Sequence, residues 1–200
     1  AVKKALWAVL LLFILQHIGV NVGPLVAGLG VTGIVIGFAC QESLSNLAAG
    51  VMIASNQPFK VGDFVELGSY QGAISELNMM AATLNTSDNK RIVIPNKVVW
   101  GSAITNYTAN KTRRIELKIG ISYSSNIEKA ETVARRVFEA DAAVLKDPEP
   151  IIGVVAMGSS SVDMVFRAWV KTDDYWPTYF RLMKEMKAAF DANAIEIPFP

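Results

Sequence analysis

The chain has 200 residues, of which 52% are hydrophobic and 18% charged, and its 19 basic and 18 acidic residues leave a net charge of +1. The charges are unevenly placed, because residues 5–41 and residues 43–59 contain none. Uncharged apolar runs longer than about 18 residues are typical of membrane spans, which argues strongly against a purely cytosolic enzyme.

Only Lys3, Lys4 and Glu42 carry charge before position 60, and the remaining 17 basic and 17 acidic residues balance each other. This balance argues against nucleic acid as a partner, since polyanion-binding surfaces need a clustered excess of Lys and Arg. With Cys40 and His17 as the only cysteine and histidine, one chain offers neither an internal disulfide nor a Cys/His metal site. We expect no metal and no cofactor.

The N-terminal part, residues 1–56, is predicted to cross a membrane. A first apolar span covers about residues 5–22, and a second apolar segment covers residues 25–55. As one helix the second segment would be about 46 Å long, against a hydrocarbon core of about 30 Å. We therefore predict a break at Gln41–Ser43, with a crossing helix over about 25–41 and an interfacial helix over about 43–55.

Orientation follows from the lysines that precede the first span. The positive-inside rule places Lys3 and Lys4 in the cytoplasm, and two crossings return the chain to the same side. The soluble part is then cytoplasmic. The default location is a bacterial inner membrane, with an organelle inner membrane of bacterial descent as the alternative.

The crossing helix is rich in small residues, among them Ala27, Gly30, Gly33 and Gly37. Glycine destabilises a helix, so its repetition indicates close helix packing. Two interpretations are open: packing against the chain's own first span, or packing against copies of the chain around an axis. In a ring, Ile34 and Phe38, four residues apart, would form stacked apolar collars that exclude ions by dewetting.

Glu42 and its neighbour Gln41 interrupt the apolar run. A carboxylate at this depth is costly unless it reaches water or a partner. Glu42 either marks the end of the membrane span or contributes to a ring of carboxylates at the inner mouth of a pore, and the sequence favours neither.

The soluble part divides into two predicted domains, 57–108 and 109–200. In the first, five short strand patterns within fifty residues predict a small β-barrel. In the second, a strand, a helix, two strands and a helix predict an α+β sandwich, with a possible edge strand at 195–199. A capping box is predicted at Ser125–Glu128, ahead of the first helix. No catalytic constellation stands out in either domain.

Several motifs in this order resemble one family. Residues 41–50 read QESLSNLAAG, residues 58–63 read PFKVGD, and Gly72, Thr83 and residues 94–96, IPN, follow. Together with the glycine-rich helix, this combination resembles the MscS family, the small-conductance mechanosensitive channels, over residues 5–200.

The resemblance implies a homoheptamer whose glycine-rich helix lines a pore. It implies an Sm-like β domain and a ferredoxin-like α/β domain that form a hollow cytoplasmic vestibule. The family opens under membrane tension and releases ions and small osmolytes on hypo-osmotic shock, without enzymatic activity. Its constricting residues match Ile34 and Phe38, and its packing residues match Ala27, Gly30, Gly33 and Gly37.

The chain departs from the family at the end of this helix. The family's kink glycine falls at Glu42, so the bend is expected to depend on Gly50 or on local solvation. We therefore predict Gln41, Glu42 and Gly50 as the hinge or inner mouth.

Two other function classes stay open on the sequence. A membrane-anchored cytoplasmic module that senses a ligand or scaffolds partners would have a lipid-facing span and no pore. A transporter would need a binding site at the membrane midplane and a second set of spans, and the sequence shows neither.

Overall fold

The computed structural model describes residues 2–199, so the first residue of the predicted membrane part and the last residue of the predicted α/β domain lie outside it. The helices are α1 (Val2–His17), α2 (Gly23–Asn56), α3 (Asn96–Trp100), α4 (Ile127–Ala140) and α5 (Tyr175–Ala192). The strands are β1 (Phe64–Leu67), β2 (Tyr70–Leu77), β3 (Ala81–Asn85), β4 (Arg91–Pro95), β5 (Ile104–Asn106), β6 (Thr112–Ile121), β7 (Ile151–Met157) and β8 (Val162–Lys171). The described residues form two compact units that meet in sequence between Thr105 and Asn106.

The first unit contains a five-stranded antiparallel sheet. Its strand order is β4-β3-β2-β1-β5, and hairpins join the first four strands. The five short strands predicted from the sequence are confirmed. Pairing leaves β4 and β5 at the two edges, so closure into the predicted barrel stays a prediction. The core of this unit is apolar and includes Phe59, Val65, Ile74, Leu84, Ile94 and Val99.

The second unit packs two helices on one face of a three-stranded sheet. The strand order is β6-β8-β7, with β8 in the centre and antiparallel to both neighbours. Its element order, β6-α4-β7-β8-α5, is the one that the sequence predicts. Side chains of α4, α5 and the sheet share one core, in which the rings of Phe166 and Phe190 meet edge to face at 5.8 Å.

Two predicted details of the second unit are wrong. The N-cap of α4 is Asn126, whose side chain accepts a hydrogen bond from Lys129 N at 2.9 Å, whereas Ser125 Oγ accepts from Glu196 N. Residues 195–199 do not form a strand. Glu196 makes two isolated hydrogen bonds, one to Ser125 and one from Ser122 N, and Pro198 has no N–H with which to extend a ladder.

The break predicted at Gln41–Ser43 is also absent, because α2 is one continuous helix of 34 residues. The whole of α2 does not have to lie inside a bilayer. The exposed part, residues 23–43, is about 31 Å long, and the last turns pack on α3 and on the turn between β2 and β3, with Ile53 in the core of the first unit, instead of lying free as an interfacial helix. The triplet contains neither proline nor glycine, and Asn46 Nδ2 donates to Glu42 O within the helix.

At Gly50, α2 lies close to the turn between β2 and β3 and to the first residue of α3. A methyl group at this position would lie 2.5 Å from Met79 O and 2.6 Å from Asn96 Nδ2. Asn96 is buried and donates to Asn78 O at 2.9 Å, so it is held in place. Asn46 adds a second link, since its Oδ1 accepts from Lys97 N in the first turn of α3. The C-terminal part of α2 is thereby fixed to α3 and to the turn between β2 and β3.

We predict that Gly50→Ala displaces α2 from α3 and from the turn between β2 and β3. The added methyl group would meet a backbone carbonyl, and the forced shift should lower the free energy of unfolding by about 1–3 kcal/mol. Thermal unfolding of the protein in detergent measures the effect. Gly28→Ala on the same helix, where a methyl group has open space, is the control. Equal stability of the two variants would contradict this packing.

An ion pair links the two helices of the second unit. Asp141, at the end of α4, has 4% of its side chain exposed and receives Arg181 Nε at 2.7 Å and Arg181 Nη2 at 2.9 Å. Ala143 N donates to the same carboxylate. The hydrogen bonds from Arg181 lower the pKa of Asp141 below its ordinary value of 3.8, although burial opposes them.

We expect Asp141→Asn to destabilise the second unit by about 1–2 kcal/mol at neutral pH, because charge-assisted hydrogen bonds are lost. A carboxyl group with a lowered pKa stabilises the fold fully above its unfolded pKa and loses that contribution as pH falls through the folded pKa. The difference between wild type and variant should therefore shrink from pH 7 towards about pH 3. Denaturant unfolding at several pH values tests this, and a constant difference would contradict it.

Candidate functional site

The residues predicted as functional lie on α2, mostly on its exposed part. Apolar side chains are exposed on every side of residues 23–43. The large ones are Leu25, Val26, Leu29, Val31, Ile34, Val35, Ile36 and Phe38. This segment belongs to the one described helix that is long and apolar enough to cross a membrane, and α1 contains a shorter apolar stretch, Leu6–His17. So large an apolar surface cannot remain in contact with water and requires lipid or other protein.

Ile34 and Phe38 share one face of α2. They are one turn apart, about 6 Å along the axis, and their side chains are 59% and 71% exposed. Ala27 precedes them on this face by two turns. Neither Ile34 nor Phe38 carries a polar atom on its side chain, so the face can act on water and ions only through its size and its apolar character.

Gln41 and Glu42 continue this face by one more turn, since they follow Phe38 by three and four residues. Both are exposed. Glu42 has no salt bridge to any residue between positions 2 and 199. The apolar face thus ends at a polar layer that includes one unpaired carboxylate.

The glycine stripe lies beside the Ile34 face. Gly30, Gly33 and Gly37 are three and four residues apart, and a methyl group built on any of them would meet no atom within 4 Å outside its own helix backbone. In the described chain, therefore, α1 does not fill these notches. The stripe offers a surface on which a second helix could approach closely, because no side chains project from it.

The structure places the three residues predicted as the hinge or inner mouth in two different environments. Gln41 and Glu42 are exposed at the end of the apolar face, whereas Gly50 is buried against Met79 and Asn96 two turns further on. In this structure Gly50 acts as a packing residue, and its role as a hinge stays a prediction.

Sequence reasoning missed the polar contacts around the end of α2: Asn46 joins α2 to α3, and Asn96 joins α3 to Asn78 in the turn between β2 and β3. Asn46 and Lys97 are 51 residues apart, so no local spacing could reveal their hydrogen bond. The feature that marks these contacts is a buried asparagine, and the sequence alone does not show which asparagine is buried.

Three family models match consecutive parts of the chain. They are described as mechanosensitive ion channel, transmembrane helices 2/3, over residues 2–41; mechanosensitive ion channel, beta-domain, over residues 42–109; and mechanosensitive ion channel MscS, C-terminal, over residues 115–197. Together they cover both compact units.

Individual relatives agree with the family models. An MscS family protein of Archaeoglobus fulgidus is 37% identical over 94% of this chain and 66% of its own length. A small-conductance mechanosensitive channel of Helicobacter pylori is 33% identical over 92% of this chain and 68% of its own length. The chain therefore spans about two thirds of the relatives that it matches.

A solved structure extends the agreement to three dimensions. The crystal structure of Helicobacter pylori MscS, described as its closed state, superposes with a TM-score of 0.87 at 33% identity and covers 94% of this chain and 75% of that one. The apolar helix, the five-stranded sheet and the α/β unit occur in the family's order. The chain belongs to the MscS family of mechanosensitive channels.

Proposed function

We propose that the chain is a subunit of an ion channel that membrane tension opens, and that releases ions and small osmolytes during hypo-osmotic shock. The observation that carries the proposal is the exposed part of α2, where a glycine stripe with open space lies beside an apolar face ending in Glu42. A single such helix encloses nothing, so the proposed function requires several copies around an axis. The likeness to the Helicobacter pylori relative, which is named a small-conductance mechanosensitive channel, supports this proposal.

The proposed assembly is a homoheptamer, the number that the resemblance implies. Ala27, Gly30, Gly33 and Gly37 allow neighbouring α2 helices to approach closely. Ile34 and Phe38 then face the axis and form two apolar collars. Water is expelled from a narrow apolar collar, and ions are excluded with it.

Opening depends on the area that the channel occupies in the bilayer. Lateral tension favours the conformation with the larger in-plane area, and it shifts the equilibrium only as far as the open and closed conformations differ in area. Helices that meet through glycine slide or tilt past one another without interlocking side chains. The collars widen, water enters, and small solutes pass. Gln41, Glu42 and Gly50 are the proposed hinge or inner mouth.

The two soluble units complete the proposed subunit. Residues 57–108 form an Sm-like β domain, and residues 109–200 form a ferredoxin-like α/β domain, which together would enclose a cytoplasmic vestibule. The proposed location is a bacterial inner membrane, spanned more than once, with both soluble domains in the cytoplasm. The absence of charge between residues 5 and 41, after Lys3 and Lys4, supports this orientation. Lipids, ions and small osmolytes are the partners; the role includes no enzymatic step and no nucleic acid.

We predict that Phe38→Ser lowers the tension needed for opening. An apolar side chain of this size contributes about 1.5–3 kcal/mol when it is withdrawn from water, so a hydroxyl group should hydrate the collar and favour the open state. Patch recordings under graded suction measure the threshold, and slowed growth of the cells should accompany its fall.

The matched control is Ile36→Ser. Ile36 lies on the same helix near the same depth but nearly opposite Ile34, so it faces away from the proposed axis. Its threshold should stay closer to that of wild type. An unchanged threshold for Phe38→Ser, or equal shifts in both variants, would contradict the collar assignment.

Glu42→Gln should reduce any preference for cations. A ring of carboxylates attracts cations most strongly at low salt, where the Debye length reaches about 30 Å at 0.01 M. Reversal potentials under a salt gradient, recorded at low and at high ionic strength, measure the effect. Identical reversal potentials for wild type and variant at low salt would reject a role in selectivity.

A further inference from the structure

The second unit has an exposed apolar stripe on α5. Trp176, Phe180 and Met183 are four and three residues apart and therefore lie on one flank of the helix. Trp176 and Phe180 are 56% and 64% exposed, and their rings stack at 5.7 Å. A patch of ordered aromatic side chains is typical of a protein–protein contact. We call these three residues the α5 stripe.

The same unit has a second exposed apolar surface on β7. Its exposed side chains are Ile151, Val154, Val155 and Met157. The strand pairs with β8 on one side and forms the edge of the three-stranded sheet on the other. Exposed edge strands of this composition are a liability unless something covers them. We call these four residues the β7 surface.

The two surfaces lie on opposite sides of the unit. The sheet order places β6 and β7 at opposite edges, with α5 packed towards β6 and α4 towards β7. Arg181 reaches Asp141 at the end of α4, so this flank of α5 faces α4. The α5 stripe occupies the other flank and points away from α4 and from β7.

The charges beside the two surfaces are opposite in sign. Lys184 follows Phe180 by four residues and borders the α5 stripe. On α4, Arg135 reaches Glu149 just before β7, so that its flank faces the β7 side. Glu131 and Glu139 lie four residues to either side of Arg135 and make this flank acidic. Complementary charge at the rim favours one pairing of surfaces over others.

We propose that the α5 stripe of one subunit packs against the β7 surface of the next subunit. A closed ring needs two different, complementary surfaces on opposite sides of each subunit, because every contact runs head to tail. The α5 stripe and the β7 surface meet this requirement in position, in apolar character and in charge. The inference rests on the ring of the proposed function and names the residues that join its cytoplasmic part.

Cysteine cross-linking of the full-length protein in detergent tests the pairing. In a Cys40→Ser background, Val155→Cys and Met183→Cys are placed in one chain and treated with a short bismaleimide. A head-to-tail contact produces a ladder of covalent multimers on a denaturing gel. Each single variant should give only monomer, because its cysteine meets no copy of itself.

Charge variants provide a second, independent measurement. Lys184→Glu should lower the yield of the ladder several-fold, and adding Glu131→Lys should restore it. A dimer from either single cysteine, or a yield indifferent to both charge changes, would overturn the proposed pairing.

Light scattering on the same sample distinguishes a failure of this pairing from a failure of the proposed function. A ring-sized particle without the ladder overturns this inference and leaves the proposed function standing, with another segment or protein covering the β7 surface. A monomeric particle overturns both.

Discussion

The structure depends on one physical constraint: the apolar surface of residues 23–43 must be covered by lipid or by other protein. No contact within the described chain does so, since the large side chains of this segment are exposed on all sides and Gly28, Gly30, Gly33 and Gly37 face open space. Lipid can cover the outer face. Contact with lipid does not require a stripe of glycines, whereas the lack of side chains along such a stripe favours close approach by another helix. In the proposed ring, lipid covers the outer face of the helix and a neighbouring helix covers the glycine stripe, while the Ile34 face lies towards the axis.

The last turns of α2 are joined to the β domain that follows them in the chain. The close contact at Gly50, the buried Asn96 and the hydrogen bond from Lys97 N to Asn46 fix the last turns of α2 to α3 and to the turn between β2 and β3. The same helix therefore has a part without a partner among residues 2–199 and a part held by α3 and the turn between β2 and β3. In the proposed channel, the exposed part would respond to the bilayer and the fixed part would pass its displacement on to the β domain.

The sequence predicted most of the secondary structure, because strands and helices were marked by local patterns such as the alternation in β6 and the proline near the start of α5. It failed where distant contacts decide the outcome. The break expected at Gln41–Ser43 followed from length alone, and the length is accommodated by packing on residues far away in sequence. The α4 cap differs for a similar reason, since Ser125 is engaged by Glu196. The candidate site was predictable because it lies on a single helix, whereas the contacts that hold that helix were not.

The central claim is that α2 meets copies of itself around an axis. Cryo-electron microscopy of the full-length protein in lipid nanodiscs tests it most directly. The account predicts a ring in which Ile34 and Phe38 face a common axis and Gly30, Gly33 and Gly37 lie at contacts between neighbouring helices. Particles in which acyl chains surround residues 23–43 on every side, with no axis between protomers, would contradict it.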